Sequence, residues 1–198
     1  MPKKTLVVVG VLVAALLLCG GCGMTSYNGL VSLDQEVQSQ WAQVQNAYQR
    51  RVDLVPNLVE TVKGAAKFER ETLTAVTEAR ARAVQASPGS ATPNDPQALQ
   101  RFQQTQDQLG SALSRLMVVV ERYPELKATQ NFRDLQAQLE GTENRISVER
   151  MRYNEAARRF NTKRQSVPTV LFAGLLGFQP KSYFEATPGA ERAPQVKF

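Results

Sequence analysis

An apolar stripe at helical spacing runs through residues 30–66 and constrains the fold more than any other feature of the chain. Ten steps carry the stripe over 36 positions, an average of 3.6 residues per step. This is the period of an α-helix, so the spacing predicts one long amphipathic helix that needs partner helices along its length. The stripe consists of Leu30, Leu33, Val37, Trp41, Val44, Tyr48, Val52, Val55, Val59, Val62 and Ala66.

Pro56 lies inside this stripe without disturbing its phase. A proline removes one backbone donor and clashes with the preceding turn. Because the apolar spacing continues beyond it, we expect a helix bend at Pro56 and not a helix end.

A polar face runs beside the stripe. Asp53, Asn57 and Glu60 are spaced i, i+4 and i+7 and therefore share one side of the predicted helix. We assign Arg50 and Arg51 to the same polar face. This face is either solvated or helix-bridging, or it is part of a polar cluster that contacts a partner.

The residue inventory excludes several kinds of reaction centre. The 198-residue chain has no histidine, and both cysteines, Cys19 and Cys22, belong to its first 22 residues. The remainder has no thiol nucleophile, no imidazole base and none of the usual zinc sites. Glu60 and Glu143 could meet across helices, but such a pair is more often matched to arginines than catalytic. We predict no catalytic residue, no metal and no cofactor, and the interspersed charges, which sum to +6, do not mark a nucleic-acid face.

The first 22 residues have the pattern of a secretory leader. A basic start precedes the apolar residues 6–18, and small residues then lead to Cys22. The pattern is similar to a bacterial lipoprotein signal in which Cys22 receives lipid, although Cys19 stands where an aliphatic residue is usual. The alternative is an uncleaved membrane anchor. Either way we expect residues 23–26 to be a short linker and the rest to lie outside the cytoplasm, tethered to a membrane.

Four helices are predicted after the leader, over residues 27–63, 69–85, 96–122 and 128–164. Short connections favour antiparallel neighbours. The sequence therefore predicts an all-α fold, an elongated antiparallel four-helix bundle with up-down-up-down order, within residues 27–185. The last predicted helix then ends at the level where the first begins.

The C-terminal part has no helical period. Residues 167–178 form an apolar run with one proline and two glycines, which either packs irregularly on the bundle or dips into the membrane. In the predicted topology this tail lies beside the tether. Lys181 to Phe184 would supply a last aromatic anchor, and residues 186–198 are predicted to be disordered.

Several motifs of the chain resemble those of the LemA family of bacterial envelope proteins. The most specific is the stretch RRVDLVPNLVETVKG at residues 50–64. The resemblance implies an elongated all-helical bundle on an N-terminal membrane anchor, with no established catalytic activity. The family more often has an uncleaved anchor helix, so the lipoprotein-like leader is a departure. The other matching residues are Tyr27, Asn28, Leu30, Val31, Trp41, Gln45, Val76, Thr77, Ala79, Arg80, Tyr123, Pro124, Leu126, Lys127, Ala128, Asn131, Phe132, Thr142, Glu143, Ile146, Arg150, Tyr153, Asn154, Gly177, Phe178, Phe184 and Glu185.

Together these features predict a non-enzymatic cell-envelope protein, a membrane-tethered helical scaffold for protein–protein or membrane interaction. Its expected partners are the membrane, an envelope protein and further copies of itself. The alternatives are a binder of an anionic envelope polymer or lipid and, less favoured, an uncharacterised enzyme. A structural or partner-binding polar cluster is predicted from Asp53, Asn57, Glu60, Arg80, Glu143, Arg150 and Asn154.

Overall fold

The computed structural model describes residues 3–64, 69–86 and 94–185, and every regular element within these ranges is an α-helix. The prediction of an all-α fold is confirmed. In chain order the helices are α1 (Lys3–Lys63), α2 (Arg70–Gln85), α3 (Pro96–Val120), α4 (Pro124–Lys127), α5 (Gln130–Gln165) and α6 (Val170–Ala173).

Helix α1 is the longest element, with 61 residues and a length of roughly 90 Å. The predicted apolar stripe is its buried side, although Leu33 is only partly buried. Ala66 lies outside the described residues. The helix continues through Pro56 without interruption, and the bend expected there stays a prediction.

The start of α1 differs from the prediction. The helix begins at Lys3 and not near Tyr27, so residues 23–26 are helical and do not form a separate linker. The Thr25 hydroxyl donates to the carbonyl oxygen of Gly21 at 3.0 Å, one turn earlier. A nucleated helix adds further residues easily, which explains why the glycines near residue 22 do not end it. Among the described residues, no helix combines the length and the apolar character needed to cross a bilayer.

The later helices begin and end close to the predicted residues. Asp95 caps α3 by accepting hydrogen bonds from the backbone of Gln97 and Ala98 at 2.9 and 3.1 Å, as expected for a residue placed before Pro96. Thr129 caps α5 through its hydroxyl. The tight connection predicted between these two helices contains the additional four-residue helix α4.

Two buried clusters lie one after the other along α1. Helices α1 and α5 run antiparallel, because Glu36 meets Arg159 while Arg51, further along α1, meets Glu143. The proximal core, defined by residues 30–48 of α1, also contains side chains of α3, α5 and the C-terminal segment. The distal core, defined by residues 52–62 of α1, contains α2, α3, α4 and α5. The C-terminal segment thus joins the half of the core to which α2 contributes no side chain.

This C-terminal segment follows α5. It turns through α6 and continues without regular secondary structure as residues 178–185, here called the strap. The side chain of Phe184, near the end of the strap, is buried. Ala173 and Thr169 are also buried. The predicted packing of an irregular segment on the bundle therefore holds for one side of it, while the predicted disorder of residues 186–198 concerns residues outside the described part.

Candidate functional site

Three side-chain amides hold the backbone of the strap. Asn161 donates to the carbonyl oxygen of Lys181 and accepts from its N–H, both at 2.8 Å. Asn154 makes the same pair of bonds with Phe184 at 3.0 and 2.9 Å. Gln103 does so with Glu185 at 3.0 and 3.3 Å. An extended segment outside a sheet must satisfy its backbone elsewhere, and an amide provides both a donor and an acceptor.

The spacing of these clamps follows from the geometry of the two elements. Asn154 and Asn161 are seven residues apart on α5, or about 10.5 Å along one face of the helix. Lys181 and Phe184 are three residues apart in the strap, and three residues can span about 10 Å when the backbone is extended. Two turns of α5 can therefore cover the same length as three residues of the strap. For this reason two asparagines, Asn154 and Asn161, can bond the strap at Phe184 and at Lys181.

Phe184 lies in an aromatic site that fixes the end of the strap. Its ring is stacked on Trp41 with a centroid distance of 5.8 Å and meets Tyr153 edge-on at 5.4 Å. The guanidinium of Arg150 lies over the Phe184 ring, 4.8 Å from its centroid, and donates to the Glu185 carbonyl at 2.8 Å. Burial raises the pKa of the Tyr153 hydroxyl, so this group remains a neutral donor.

A buried cation ties the strap to two further elements. Lys181 is 6% exposed. Its ammonium group forms an ion pair with Asp34 of α1, donates to the Asn94 side chain at 2.8 Å and lies 4.9 Å from the centroid of Phe160. A buried charge is tolerated when it is paired and hydrogen-bonded, so Lys181 serves as a junction and not as a free base.

Arg51 forms a second buried polar site, where α1, α3 and α5 meet. It is 4% exposed. It bonds Glu143 at 2.8 Å, and the carbonyl and side-chain oxygens of Gln106 at 2.9 and 2.6 Å. Within the described part of the chain its Nε has no hydrogen-bond partner. Of the alternatives open for the polar face, Arg51 is therefore helix-bridging and not solvated. Its position, three residues after Tyr48 and four before Val55, lies at the edge of the buried stripe.

Arg80 bonds the backbone of α1 at the turn that Pro56 alters. Its Nε donates to the carbonyl oxygen of Val52 at 3.1 Å. In a regular helix that oxygen accepts from the N–H four residues later, but residue 56 is a proline and has no N–H. The side chain of α2 thus supplies the donor that α1 lacks, and the missing bond becomes a contact between helices.

The seven residues of the predicted polar cluster do not form one network. Arg80 and Glu143 contact α1, at Val52 and Arg51, while Arg150 and Asn154 hold the strap. The other three are exposed on α1 and have local contacts only. Gln49 donates to Asp53 at 2.8 Å, Lys63 to Glu60 at 2.7 Å and the Thr61 hydroxyl to the Asn57 carbonyl at 2.8 Å. These three project away from the buried stripe, which explains their separation from the others.

Glu60 and Glu143 do not form a carboxylate pair, since each has a cationic partner of its own. In residues 3–64, 69–86 and 94–185, moreover, no group of three or more acidic or cysteine side chains is arranged to hold a metal ion. Glu143 is instead paired with Arg51, and Glu60 with Lys63.

Several residues of the polar sites escaped the sequence analysis. Gln103 of α3 and Asn161 of α5 each follow a buried phenylalanine, Phe102 and Phe160, and the strap they hold is distant in sequence. One signal was available in Gln106, a polar residue at helical spacing between the apolar Phe102 and Leu109 of α3. It is 2% exposed and bonds Arg51.

Comparison with known proteins shows similarity to magnetosome proteins and to a LemA protein. The chain is 26% identical over 181 residues to the magnetosome proteins MamQ 1 and MamQ 2 of Paramagnetospirillum magneticum, covering 83% of this chain and 66% of each of those. It thus spans slightly less than two thirds of their length. It is 24% identical over 160 residues to the protein LemA of Metamycoplasma hominis, covering 81% of this chain and 69% of that protein. A model of the LemA family matches residues 40–198. With its fold and these matches, the chain belongs to the LemA family.

Proposed function

We propose that the chain is a non-enzymatic, membrane-tethered helical scaffold of the bacterial cell envelope. Its four long helices, α1, α2, α3 and α5, act as the rods of an elongated up-down-up-down bundle. The observation that carries the proposal is the use of the interior polar side chains. Arg51, Asn154, Asn161 and Lys181 all bond neighbouring helices or the strap. Side chains used in this way keep helices in register, which is the requirement of a scaffold.

The tether of this scaffold is the leader, residues 1–22, held by lipid on Cys22 or retained as an uncleaved anchor. The bundle then lies on the extracytoplasmic side. In support of this, residues 6–18 are apolar after a basic start, and α1 is one helix from Lys3 into the bundle. The names of the relatives, magnetosome proteins and LemA, are not names of enzymes. A continuous helix would fix the direction in which the bundle projects from the membrane.

The partner surface in this proposal is the α1 ridge, defined as Asp53, Asn57 and Glu60. All three side chains are exposed. The carboxylates of Asp53 and Glu60 bond residues four and three positions away on the same helix, and at Asn57 the backbone carbonyl accepts from Thr61. Weak local contacts of this kind leave the polar groups available to a partner. That partner is an envelope protein or a second copy of the chain.

A second candidate function is binding of an anionic envelope polymer or lipid. The net charge of +6 favours it. Such binding would weaken steeply as salt is added, because salt screens exposed charges beyond about 10 Å at 0.1 M ionic strength. Binding that does not respond to salt would remove this candidate.

Two asparagines on different helices test the scaffold proposal as a matched pair. A photo-crosslinking amino acid placed at exposed residues beside Asn57 should capture a partner in intact cells, and Asn57→Ala should abolish that capture. The same change should alter the free energy of unfolding by no more than about 0.5 kcal/mol. Asn154→Ala should instead cost about 1–3 kcal/mol, because both backbone groups of Phe184 lose their partner, and should preserve capture by the chains that remain folded.

The pair also shows which results oppose the proposal. If Asn57→Ala destabilises the fold as much as Asn154→Ala, the ridge is structural. If a crosslinker at the ridge captures nothing beyond what one at the exposed Val118 of α3 captures, the ridge is not a partner surface.

A further inference from the structure

Large apolar side chains are exposed together in the turn between α5 and the strap. Leu175 is 88% exposed, Val167 82% and Leu171 66%, and Val170 and Leu176 are each 46% exposed. All of them lie within ten consecutive residues. Contiguous exposed apolar surface of this kind marks a site of interaction, since each side chain would gain from leaving water.

This turn lies at the end of the bundle that is closest to the leader. Tyr27 of α1 meets Phe178 edge-on at 5.8 Å, and a Cβ added at Gly29 would lie 3.4 Å from the Lys163 side chain in the last turn of α5. Met24 and Tyr27 are themselves 74% and 45% exposed. The apolar turn and the exposed side of α1 therefore meet at one level of the molecule.

We propose that this apolar tip, defined as residues 167–176 with Met24 and Tyr27, inserts into the interface of the lipid bilayer. The inference rests on the proposed tether and names the surface by which the tethered bundle contacts the membrane. Residues 6–18 are the apolar part of the leader, and Met24 follows Leu18 by about 9 Å of helix. Met24 also follows Cys22 by only two residues, so the tip is held beside the bilayer whether the leader is retained or Cys22 carries lipid.

The chemistry of the tip suits an interfacial position. Helix α6 has four residues, far fewer than the roughly 20 that a membrane span needs, so the tip can enter one leaflet only. Lys163 and Arg164 lie in the last turn of α5. Basic side chains near a membrane surface are attracted to anionic lipid headgroups. Tyr27 is of a residue type enriched at the boundary between lipid and water.

Tryptophan fluorescence can locate the tip in the membrane, since the chain has one tryptophan, Trp41, which is 6% exposed in the proximal core. The full-length chain is incorporated into vesicles of phosphatidylethanolamine and phosphatidylglycerol with brominated acyl chains, which quench tryptophans in contact with lipid. Leu175→Trp should lose about half of its added emission or more. Met151→Trp provides the control, because Met151 is 65% exposed but lies roughly 21 Å along α5 from Gln165, and its emission should remain.

A second set of variants tests whether apolar side chains hold the tip in lipid. Leu171→Asp introduced into the Leu175→Trp chain should withdraw the tip from lipid and so remove most of the quenching by brominated vesicles, while the leader keeps the chain on the membrane. Unchanged quenching in that chain would oppose the inference. Val118→Asp, introduced instead at a position 70% exposed on α3, should leave the quenching as it is.

The outcomes separate this inference from the proposed function. If the chain floats with the vesicles and Leu175→Trp is not quenched, the tip does not contact lipid and this inference fails alone. If the tryptophan shifts to the blue without quenching, and does so only at high protein concentration, a second copy covers the tip and the inference fails as well. If the chain does not float with vesicles at all, the tether and the tip fail together.

Discussion

Replacing Arg80 with alanine removes the donor that α2 provides to α1, and the cost of this change should depend on residue 56. In the native chain the carbonyl oxygen of Val52 has lost its usual helical donor because Pro56 has no N–H, and Arg80 Nε bonds this oxygen at 3.1 Å. In a Pro56→Ala chain the backbone N–H of residue 56 could bond Val52 itself.

The magnitude follows from the half-buried position of Arg80. Hydrogen bonds to charged groups contribute about 1.5–3 kcal/mol, and partial exposure places this one near the lower end. Arg80→Ala should therefore lower the free energy of unfolding by about 1–2 kcal/mol in the native background. In the Pro56→Ala background the loss should fall to about 0.5 kcal/mol, the usual effect of a surface substitution.

A double-mutant cycle measures this coupling. The free energy of unfolding is obtained for the four chains by urea titration in mild detergent, followed by the helical circular dichroism signal. Arg82→Ala, at an exposed position on the same helix, serves as the control and should cost the same in both backgrounds. An equal loss for Arg80→Ala with and without Pro56 would refute the reasoning.

Two further predictions concern the strap and the leader. Burial raises the pKa of the Tyr153 hydroxyl above its usual value of 10.0, so the contribution of this group to stability is full below that pH and is lost as the pH rises above it. Urea titrations between about pH 9 and 11 should therefore show a smaller fall in the free energy of unfolding with pH for Tyr153→Phe than for the native chain. An equal fall for the two chains would contradict the assignment. If the tether is lipid, we expect it on Cys22 and not on Cys19. Cys22→Ser should then remove the lipid mass of the purified protein, and Cys19→Ser should retain it. Loss of the lipid in Cys19→Ser alone would contradict this prediction.

The helices were predictable because their signals are local. The stripe of α1, the cap at Asp95 and the apolar spacing of α3 and α5 depend on residues within a few turns of each other. The start of α1 was not predictable in the same way, because the small residues around Cys22 read as a processing site while the backbone there is helical. A sequence pattern for cleavage and a helical conformation are compatible, and the first does not exclude the second.

The polar sites were predictable only in part, because their partners are distant in sequence. Asn154 belongs to the predicted polar cluster, but its two bonds go to Phe184, 30 residues away. For Arg51 the solvated and helix-bridging alternatives stayed open, since nothing local indicates that α3 and α5 both approach that edge of α1. Pro56 and Arg80 were each noted separately, and their relation appears only when α2 is seen packed on the altered turn.

Labelling from outside the cytoplasm tests the central claim, a bundle tethered at a membrane and facing away from the cytoplasm. A cysteine introduced at the exposed Val118 of the full-length chain is treated with a membrane-impermeant maleimide in spheroplasts, and the membrane and soluble fractions are then separated. The account predicts label at residue 118 without lysis, on protein recovered in the membrane fraction. Label that appears only after lysis, or on protein recovered in the soluble fraction, would contradict it.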